Sequence, residues 1–78
     1  REISMWMHNT YISLDMVFIR ANGTIARIEE RAEPLSDRVI SSRAAVAAVL
    51  ELQAGTAARL GIKPGDKVIY PLFKGAKR

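Results

Sequence analysis

Asp15 is the residue whose setting points most directly to chemistry, because it is a carboxylate inside an apolar run, residues 14–19. Burying an unpaired charge is costly, so such a carboxylate must be hydrogen-bonded or have a shifted pKa. Asn9, Thr10 and the backbone N–H groups of residues 11–13 lie nearby in the sequence. The first interpretation is that Asp15 holds this connector in place. The alternative is a ligand-binding carboxylate or a general base.

His8 and Trp6, the only histidine and the only tryptophan, lie in the same stretch of the chain. A pairing of His8 with Asp15 would resemble an oriented general base, but no recognisable nucleophile motif accompanies it. Trp6 can form the floor of a ligand site and stack on a base or a sugar, or it can be a large core residue. The predicted ligand-binding residues are Trp6, Asn9, Thr10 and Asp15, and no catalytic residue is assigned.

The composition is that of one small domain without disulfides or a cysteine-bound metal. It has 78 residues, no cysteine and a net charge of +4, to which Lys74, Lys77 and Arg78 contribute three charges. Neither disulfides nor a thiolate site can stabilise it, and one histidine cannot hold zinc unless carboxylates supply the other ligands. No metal or cofactor is predicted. Because the basic residues do not form a basic face or a known motif, we do not expect nucleic-acid binding.

No apolar run approaches the roughly 20 residues that a membrane-spanning helix needs, so no transmembrane segment is predicted. The chain begins with Arg1 and shows no signal peptide of its own. We therefore expect export only if a signal peptide precedes Arg1, and a cytoplasmic location otherwise.

The elements that position the candidate residues are predicted to be strands. Residues 2–10 alternate between an apolar side and a side that carries Trp6 and His8, which is typical of a strand. Residues 14–20 are apolar on both faces, as in a central strand that is covered on both sides. The candidate residues Trp6, Asn9 and Thr10 are therefore placed on the first strand and at its end, and Asp15 on the second strand.

Residues 22 and 23, Asn-Gly, are the strongest local signal in the chain. Between two strands they predict a two-residue type I′ hairpin. Such a turn pairs Ile19 with Ala26 and Val17 with Ile28. These side chains then share one mostly apolar face, which supports the register.

The second half of the chain is predicted to contain short elements in series. They are a polar loop at residues 29–36, an irregular segment or short strand at 37–42, a strand at 47–53, a helix at 54–60 and a strand at 67–70. Gly61 is placed to end the helix in the left-handed conformation. Residues 63–66, Lys-Pro-Gly-Asp, predict a type II turn. Leu60, Ile62 and Val68 should pack together.

The residues MWMHNT at 5–10 and LDMVFI at 14–19 resemble the hallmark of an uncharacterised family of small bacterial and archaeal proteins, domain of unknown function 192. The likeness continues at residues 32–35, 49–52, 54–57 and 60–68. It covers nearly the whole chain and supports a strand at 47–53, where the alanines alone would favour a helix. Relatives more often carry Lys or Arg in place of His8, which argues against an essential imidazole.

The resemblance implies a β-rich α+β fold, with a small, mostly antiparallel, barrel-like sheet and one short helix near Thr56–Leu60. It also implies that residues 1–78 are a single domain and the C-terminal two-thirds of a longer family domain. Apolar surface left uncovered by a missing part would drive association, so we expect a homodimer. The family has no settled activity to transfer.

The function that these observations favour is a small non-enzymatic binding or accessory domain with a small-molecule ligand. One alternative is a hydrolase-like or metal-assisted enzyme that uses Asp15 and His8. The other is a structural or protein-interaction module. An enzyme requires an accessible Asp15 with a converging partner, whereas a structural role requires a buried and fully hydrogen-bonded Asp15.

Overall fold

The computed structural model describes residues 1–69, which form two small antiparallel sheets and one short helix. The elements are β1 (Ser4–Met5), β2 (Leu14–Ile19), β3 (Ile25–Ala32), β4 (Ile40–Ser41), β5 (Ala48–Gln53) and α1 (Thr56–Leu60). The larger sheet has the order β3-β2-β5, and the smaller sheet pairs β1 with β4. The β-rich α+β class with antiparallel strands is confirmed, as are the strand at 47–53 and the helix near Thr56–Leu60.

β2 is the central strand of the larger sheet and is buried on both faces, as its sequence predicted. Met16 and Phe18 pack on the side of β1 and β4. Val17 and Ile19 pack on the opposite side, which residues from 62–68 help to cover. Full burial of such a side chain contributes about 1.5–3 kcal/mol, so this strand anchors two hydrophobic clusters at once.

The smaller sheet is shorter than predicted, because only two residues of the predicted strand 2–10 are paired. Met5 lies opposite Ile40, and beyond this pair the Met7 N–H donates to the carbonyl of Ser36 at 3.1 Å. In the part of the chain that the structure describes, the two sheets do not close into a barrel. The predicted barrel-like arrangement is therefore replaced by two separate sheets, whose side chains share one hydrophobic cluster that includes Met16 and Phe18.

The hairpin between β2 and β3 closes with a three-residue loop, and the predicted two-residue turn is wrong. The Gly23 N–H donates to the Arg20 carbonyl at 2.8 Å, and Gly23 has a φ of 92°. Asn22 lacks the positive φ that a type I′ turn requires of both central residues. Its side chain instead accepts a hydrogen bond from the Thr24 N–H at 2.9 Å, which is an Asx turn.

The predicted register holds for part of this hairpin. Val17 pairs with Ile28, as predicted, whereas Ile19 pairs with Ile25 and not with Ala26. The additional loop residue is absorbed by a register shift next to Ile19. The side chains further from the turn therefore keep their predicted faces.

β3 continues through residues 29–32, where the sequence predicted a loop. Leu14 pairs with Ala32 and Met16 with Glu29, so β3 has one residue more than β2 between these pairs. This extra residue makes a β-bulge. The loop prediction was wrong because a run of charged residues looks solvated, whereas an edge strand accommodates charge on its exposed positions.

α1 ends as the sequence predicted. Gly61 has a φ of 70°, and its N–H donates to the Ala58 carbonyl at 3.1 Å. The Ile62 N–H donates to the Ala57 carbonyl at 3.0 Å. These two bonds are the Schellman motif, in which a left-handed glycine lets the chain turn back and satisfy the last carbonyls.

The segment after the helix follows the prediction in part. The turn at residues 63–66 is closed by a hydrogen bond from its last N–H to its first carbonyl, at 3.1 Å, as in a type II turn. Of the predicted strand 67–70, Lys67 makes an isolated bridge with Thr24, and Tyr70 lies outside the described residues. Among the three residues predicted to pack together, Ile62 and Val68 join the second cluster and Leu60 is exposed.

Candidate functional site

Asp15 is completely buried, with 0% of its surface exposed. Its carboxylate accepts hydrogen bonds from three backbone N–H groups. Arg31 and Gly55 donate to Oδ1 at 2.9 and 3.3 Å, and Ala57 donates to Oδ2 at 2.9 Å. The carboxylate is satisfied, as the structural interpretation requires, but its partners are not the predicted N–H groups of the connector at residues 11–13.

Asp15, which lies on β2, caps the N-terminus of α1 although it is distant from the helix in sequence. The residue in the N-cap position is Gly55, which has no side chain and a φ of 90°. The first N–H groups of a helix have no partner inside it, and a nearby Ser, Thr, Asp or Asn usually accepts from them. Here the Asp15 carboxylate accepts from Ala57, 42 residues further along the chain. One side chain thereby connects β2, β3 and the helix.

Burial and hydrogen bonding act on the pKa of Asp15 in opposite directions. Burial alone raises the pKa, because it penalises the charged form. The N–H groups of Ala57, Arg31 and Gly55, together with the charge of Arg31, stabilise the carboxylate and hold the pKa of Asp15 below its ordinary value. Near neutral pH Asp15 is therefore a charged structural acceptor and a poor general base.

Sequence reasoning missed all three partners of Asp15, which are Arg31, Gly55 and Ala57. Arg31 lies in the β-bulge with a φ of 51°, so its N–H points toward Asp15. Its guanidinium covers Gly55, where a Cβ atom would lie 2.9 Å from Nη2. These partners come from segments far from Asp15 in the chain, so local sequence patterns do not reveal them. One local signal was available, because Gly55 before the helix has no side chain that could cap it.

Trp6, His8 and Asp37 form an exposed group, which we call the Trp6 cluster. The rings of Trp6 and His8 are stacked with centroids 4.6 Å apart and an interplanar angle of 24°. The His8 Nδ1 hydrogen-bonds to Asp37 Oδ1 at 2.8 Å. Trp6 is 55% exposed. The sequence did not identify Asp37, and it is this residue, not Asp15, that pairs with His8.

Asn9 and Thr10 form a tight turn that follows the Trp6 cluster in the chain. Asn9 has a φ of 58°, and the Thr10 N–H donates to the Met7 carbonyl at 3.0 Å. Leu35, with a φ of 65°, donates its N–H to the Thr10 carbonyl at 2.9 Å. Left-handed backbone at residues other than glycine is energetically costly and is often found where a site needs a fixed geometry.

The four predicted site residues therefore lie in two separate environments. Trp6, Asn9 and Thr10 belong to one exposed stretch, and the Thr10 hydroxyl lies 3.4 Å from the carbonyl of His8. Asp15 is buried in the larger sheet under α1. Any ligand site that includes the first three residues is thus formed without the Asp15 carboxylate.

A second group of charges is centred on Glu29, which is largely shielded from water, as is Arg27, whereas Arg38 is exposed. Glu29 accepts hydrogen bonds from Arg27 at 2.6 Å and from Arg38 at 2.8 Å, and only 18% of its side chain is exposed. Burial raises the pKa of Glu29, but the hydrogen bonds and charges of the two arginines outweigh it and hold the pKa below its ordinary value. The Arg27 guanidinium also lies over the Phe18 ring, 5.6 Å from its centroid.

Residues 1–69 contain no helix that is long and apolar enough to cross a membrane. The same residues contain no group of three or more His, Cys, Asp or Glu side chains placed to hold a metal ion.

Comparison with known proteins gives a family and two solved relatives. The family described as uncharacterized ACR, domain of unknown function 192, matches residues 1–70, which confirms the resemblance seen in the sequence. A crystal structure from Sinorhizobium meliloti 1021, described as a "putative transcription regulator", has a TM-score of 0.84 and 57% identity over 86% of this chain and 52% of its own. A protein of unknown function from Novosphingobium aromaticivorans DSM 12444 has a TM-score of 0.83 and 40% identity over 86% and 48%.

The chain therefore spans about half the length of the two solved relatives. No curated protein matches it. The similarity extends to sequence as well as fold, and the names of the relatives describe no reaction.

Proposed function

This chain belongs to the domain of unknown function 192 family, and within that family we propose that it is a small non-enzymatic binding domain. Its binding surface is the Trp6 cluster together with Asn9 and Thr10. The observation that carries the proposal is an indole at the surface, 55% exposed and stacked on the His8 ring. A large aromatic side chain kept in contact with water is a frequent feature of ligand sites.

The contacts that hold Trp6 support binding rather than incidental exposure. His8 stacks on one face of the indole, and Asp37 holds His8 by a 2.8 Å hydrogen bond. The turn at Asn9 and Thr10, in which Asn9 is left-handed, holds the adjoining backbone through the hydrogen bond from the Thr10 N–H to the Met7 carbonyl. A side chain that is already ordered loses little entropy when a ligand binds, so affinity is gained without new contacts.

The environment of Asp15 supports a role other than catalysis. Both carboxylate oxygens are occupied by backbone N–H groups, and the side chain is fully buried. A general base must reach the proton that it removes, directly or through one water molecule. The alternative of an enzyme that uses Asp15 and His8 has no geometric support, because His8 is bonded to Asp37.

Native mass spectrometry and NMR test the proposed binding surface. The protein is screened against mixtures of amino acids, sugars and nucleosides while the single indole N–H signal of Trp6 is followed. We expect at least one class to shift this signal, and the Trp6→Ala variant to abolish the response of the surrounding amides. Leu60→Ala is the matched control, since Leu60 is similarly exposed but lies on α1.

If a ligand shifted the backbone amide signals equally in the Trp6→Ala and Leu60→Ala variants, the binding site would lie elsewhere. No response to any class, with both variants folded, would refute the proposal. A loss of stability in Trp6→Ala without any change in ligand response would mean that Trp6 only supports the fold.

A second role, in self-association, is favoured by exposed apolar residues next to the same turn. Tyr11 is 76% exposed, and Ile12 and Leu35 are also largely exposed. The hydrogen bond from Leu35 to Thr10 brings Leu35 beside this segment. Exposed apolar residues on neighbouring segments favour association, so we propose that the chain forms a homodimer through them.

Light scattering coupled to size-exclusion chromatography measures this association directly. We expect a concentration-dependent dimer, and an Ile12→Ser substitution should return it to a monomer because it removes apolar area without touching the Trp6 cluster. Leu60→Ser is the control and should leave the dimer unchanged. A monomer at all concentrations would exclude the proposed interface.

Nucleic-acid binding is not proposed, although one solved relative carries a regulator description. The arginines Arg27 and Arg38 are both paired with Glu29. A nucleic-acid interface needs a group of basic side chains free to meet phosphates. The charge supplied by Lys74, Lys77 and Arg78 lies outside the described residues.

A further inference from the structure

Asn22 and Gly23 form the only Asn-Gly dipeptide in the chain, at the tip of the hairpin between β2 and β3. Asn22 is exposed, whereas Gly23 is buried. In such a dipeptide the backbone nitrogen of the glycine can attack the side-chain amide carbon of the asparagine, since glycine has no side chain to crowd the approach. Asn22 therefore carries a reactivity that the proposed binding function does not use.

The closed hairpin holds both reacting groups in hydrogen bonds. The Gly23 N–H, whose nitrogen would be the nucleophile, donates to the Arg20 carbonyl at 2.8 Å. The Asn22 Oδ1 accepts from the Thr24 N–H at 2.9 Å, which fixes the side-chain amide in the Asx turn. Attack requires the Gly23 nitrogen to lose its proton and the amide carbon to turn toward it. The turn must therefore open before the two groups can react.

The same loop is anchored to the segment that follows α1. The Val68 N–H donates to the Gly23 carbonyl at 2.8 Å. Thr24 makes an isolated bridge with Lys67. The loop is thus held by bonds within the hairpin and by bonds to a distant segment, so it opens less often than an unanchored loop tip would.

We propose that Asn22 is a site of spontaneous deamidation whose rate is set by the opening of this loop. In the open loop the Gly23 nitrogen gives up its proton to water and bonds to the Asn22 Cγ. The side-chain nitrogen takes up a proton and leaves as ammonia, which gives a cyclic succinimide. Water then cleaves one of the two C–N bonds of the ring. The net reaction consumes one water and releases one ammonia, and no oxidant or reductant takes part.

The two products of ring opening should affect the fold differently. Cleavage at Cγ gives aspartate, which keeps an oxygen acceptor for the Thr24 N–H. Cleavage at the main-chain carbonyl carbon gives isoaspartate, whose backbone runs through Cγ and is longer by one C–C bond, about 1.5 Å. Gly23 then cannot keep its bonds to both Arg20 and Val68. A hairpin that has opened and formed isoaspartate therefore closes less tightly.

Peptide mass spectrometry tests the proposal on the 78-residue chain, incubated at mildly alkaline pH in native buffer and in urea. We expect Asn22 to deamidate at least about tenfold more slowly in native buffer, because several hydrogen bonds of modest strength must open together. Asn9, the only other asparagine, is the internal control. It precedes Thr10, whose branched side chain crowds the attacking nitrogen. Asn9 should therefore react far more slowly than Asn22 in urea.

Hydrogen exchange of the Gly23 amide measures the opening of the loop independently. The ratio of the Asn22 rate in native buffer to that in urea should match the open fraction that this amide reports. Equal Asn22 rates in the two conditions, or a Gly23 amide without protection, would overturn control by the loop. An Asn22 rate in urea no higher than that of Asn9 would overturn the modification site itself.

Urea unfolding compares the two products. The purified isoaspartate form should unfold at a lower urea concentration than the Asn22→Asp variant, which represents the other product. Coincident unfolding curves would overturn the expected displacement of Gly23. None of these outcomes depends on ligand binding at the Trp6 cluster.

Discussion

Replacing Asp15 with Asn should destabilise the protein by about 2–4 kcal/mol at neutral pH. The amide is nearly isosteric and can still accept at one atom from Arg31 and Gly55. Its other end is an NH2 group, which would face the Ala57 N–H and leave that buried donor without an acceptor. An unsatisfied buried donor costs about 1–3 kcal/mol, and the loss of charge-assisted hydrogen bonds adds to it.

This loss is large relative to the stability expected for a domain of 78 residues, about 4–12 kcal/mol at 0.05–0.15 kcal/mol per residue. Urea unfolding followed by circular dichroism measures it as a lower midpoint with an unchanged slope. Asp37→Asn is the matched control because it makes the same chemical change at an exposed position. It should change the free energy of unfolding by less than about 0.5 kcal/mol.

The pH dependence provides an independent check of the same reasoning. The folded pKa of Asp15 lies below its unfolded value, so its stabilising contribution is fully present above the unfolded pKa, about 3.9. That contribution decreases as the pH falls through the folded pKa. The difference between the wild-type protein and Asp15→Asn should therefore shrink below about pH 4. An Asp15→Asn variant as stable at pH 7 as Asp37→Asn would refute the capping role.

Three further predictions follow from individual contacts. Gly55→Ala should destabilise the protein by about 1–3 kcal/mol, chiefly because its φ is 90° and in smaller part because the flexible end of Arg31, 2.9 Å from the added Cβ, must move aside. Leu35→Gly should stabilise it by up to about 1 kcal/mol, since it relieves a left-handed backbone at an exposed residue. Glu29→Gln should destabilise it by about 2–4 kcal/mol, because the mostly buried guanidinium of Arg27 loses its charged partner. Thermal and urea unfolding measure all three.

Each of these substitutions has a control elsewhere in the chain. Gly65→Ala shares the positive φ of Gly55 but meets nothing within 4 Å, so it isolates the clash with Arg31. Leu60→Gly removes a similarly exposed leucine from a helix and should destabilise by about 1 kcal/mol. Glu30→Gln removes an exposed charge and should be nearly neutral. If a variant and its control behaved alike, the contact assigned to that residue would be wrong.

Local patterns identified the elements whose signals lie within a few residues. The alternation of apolar residues placed β2 in the centre of the sheet, and the glycine at 61 marked the end of α1. The turn at Asn22 was located correctly but its type was not, because the Asn22 side chain competed with the backbone for the Thr24 N–H. The extension of β3 was missed because a run of charged residues looks like a solvated loop, whereas Glu30 and Arg31 occupy exposed positions of an edge strand.

The sequence by itself determined that Asp15 must be satisfied and that Trp6 lies in a polar stretch, since both conclusions depend on residue type and immediate neighbours. Only the tertiary structure decided which groups satisfy Asp15, because Arg31, Gly55 and Ala57 are brought to it across 16 to 42 residues. It likewise decided that His8 meets Asp37. Hydrogen-bond partners depend on distances of about 3 Å in space, and for Asp15 the pairing of β2 with β3 and β5, not spacing along the chain, sets those distances.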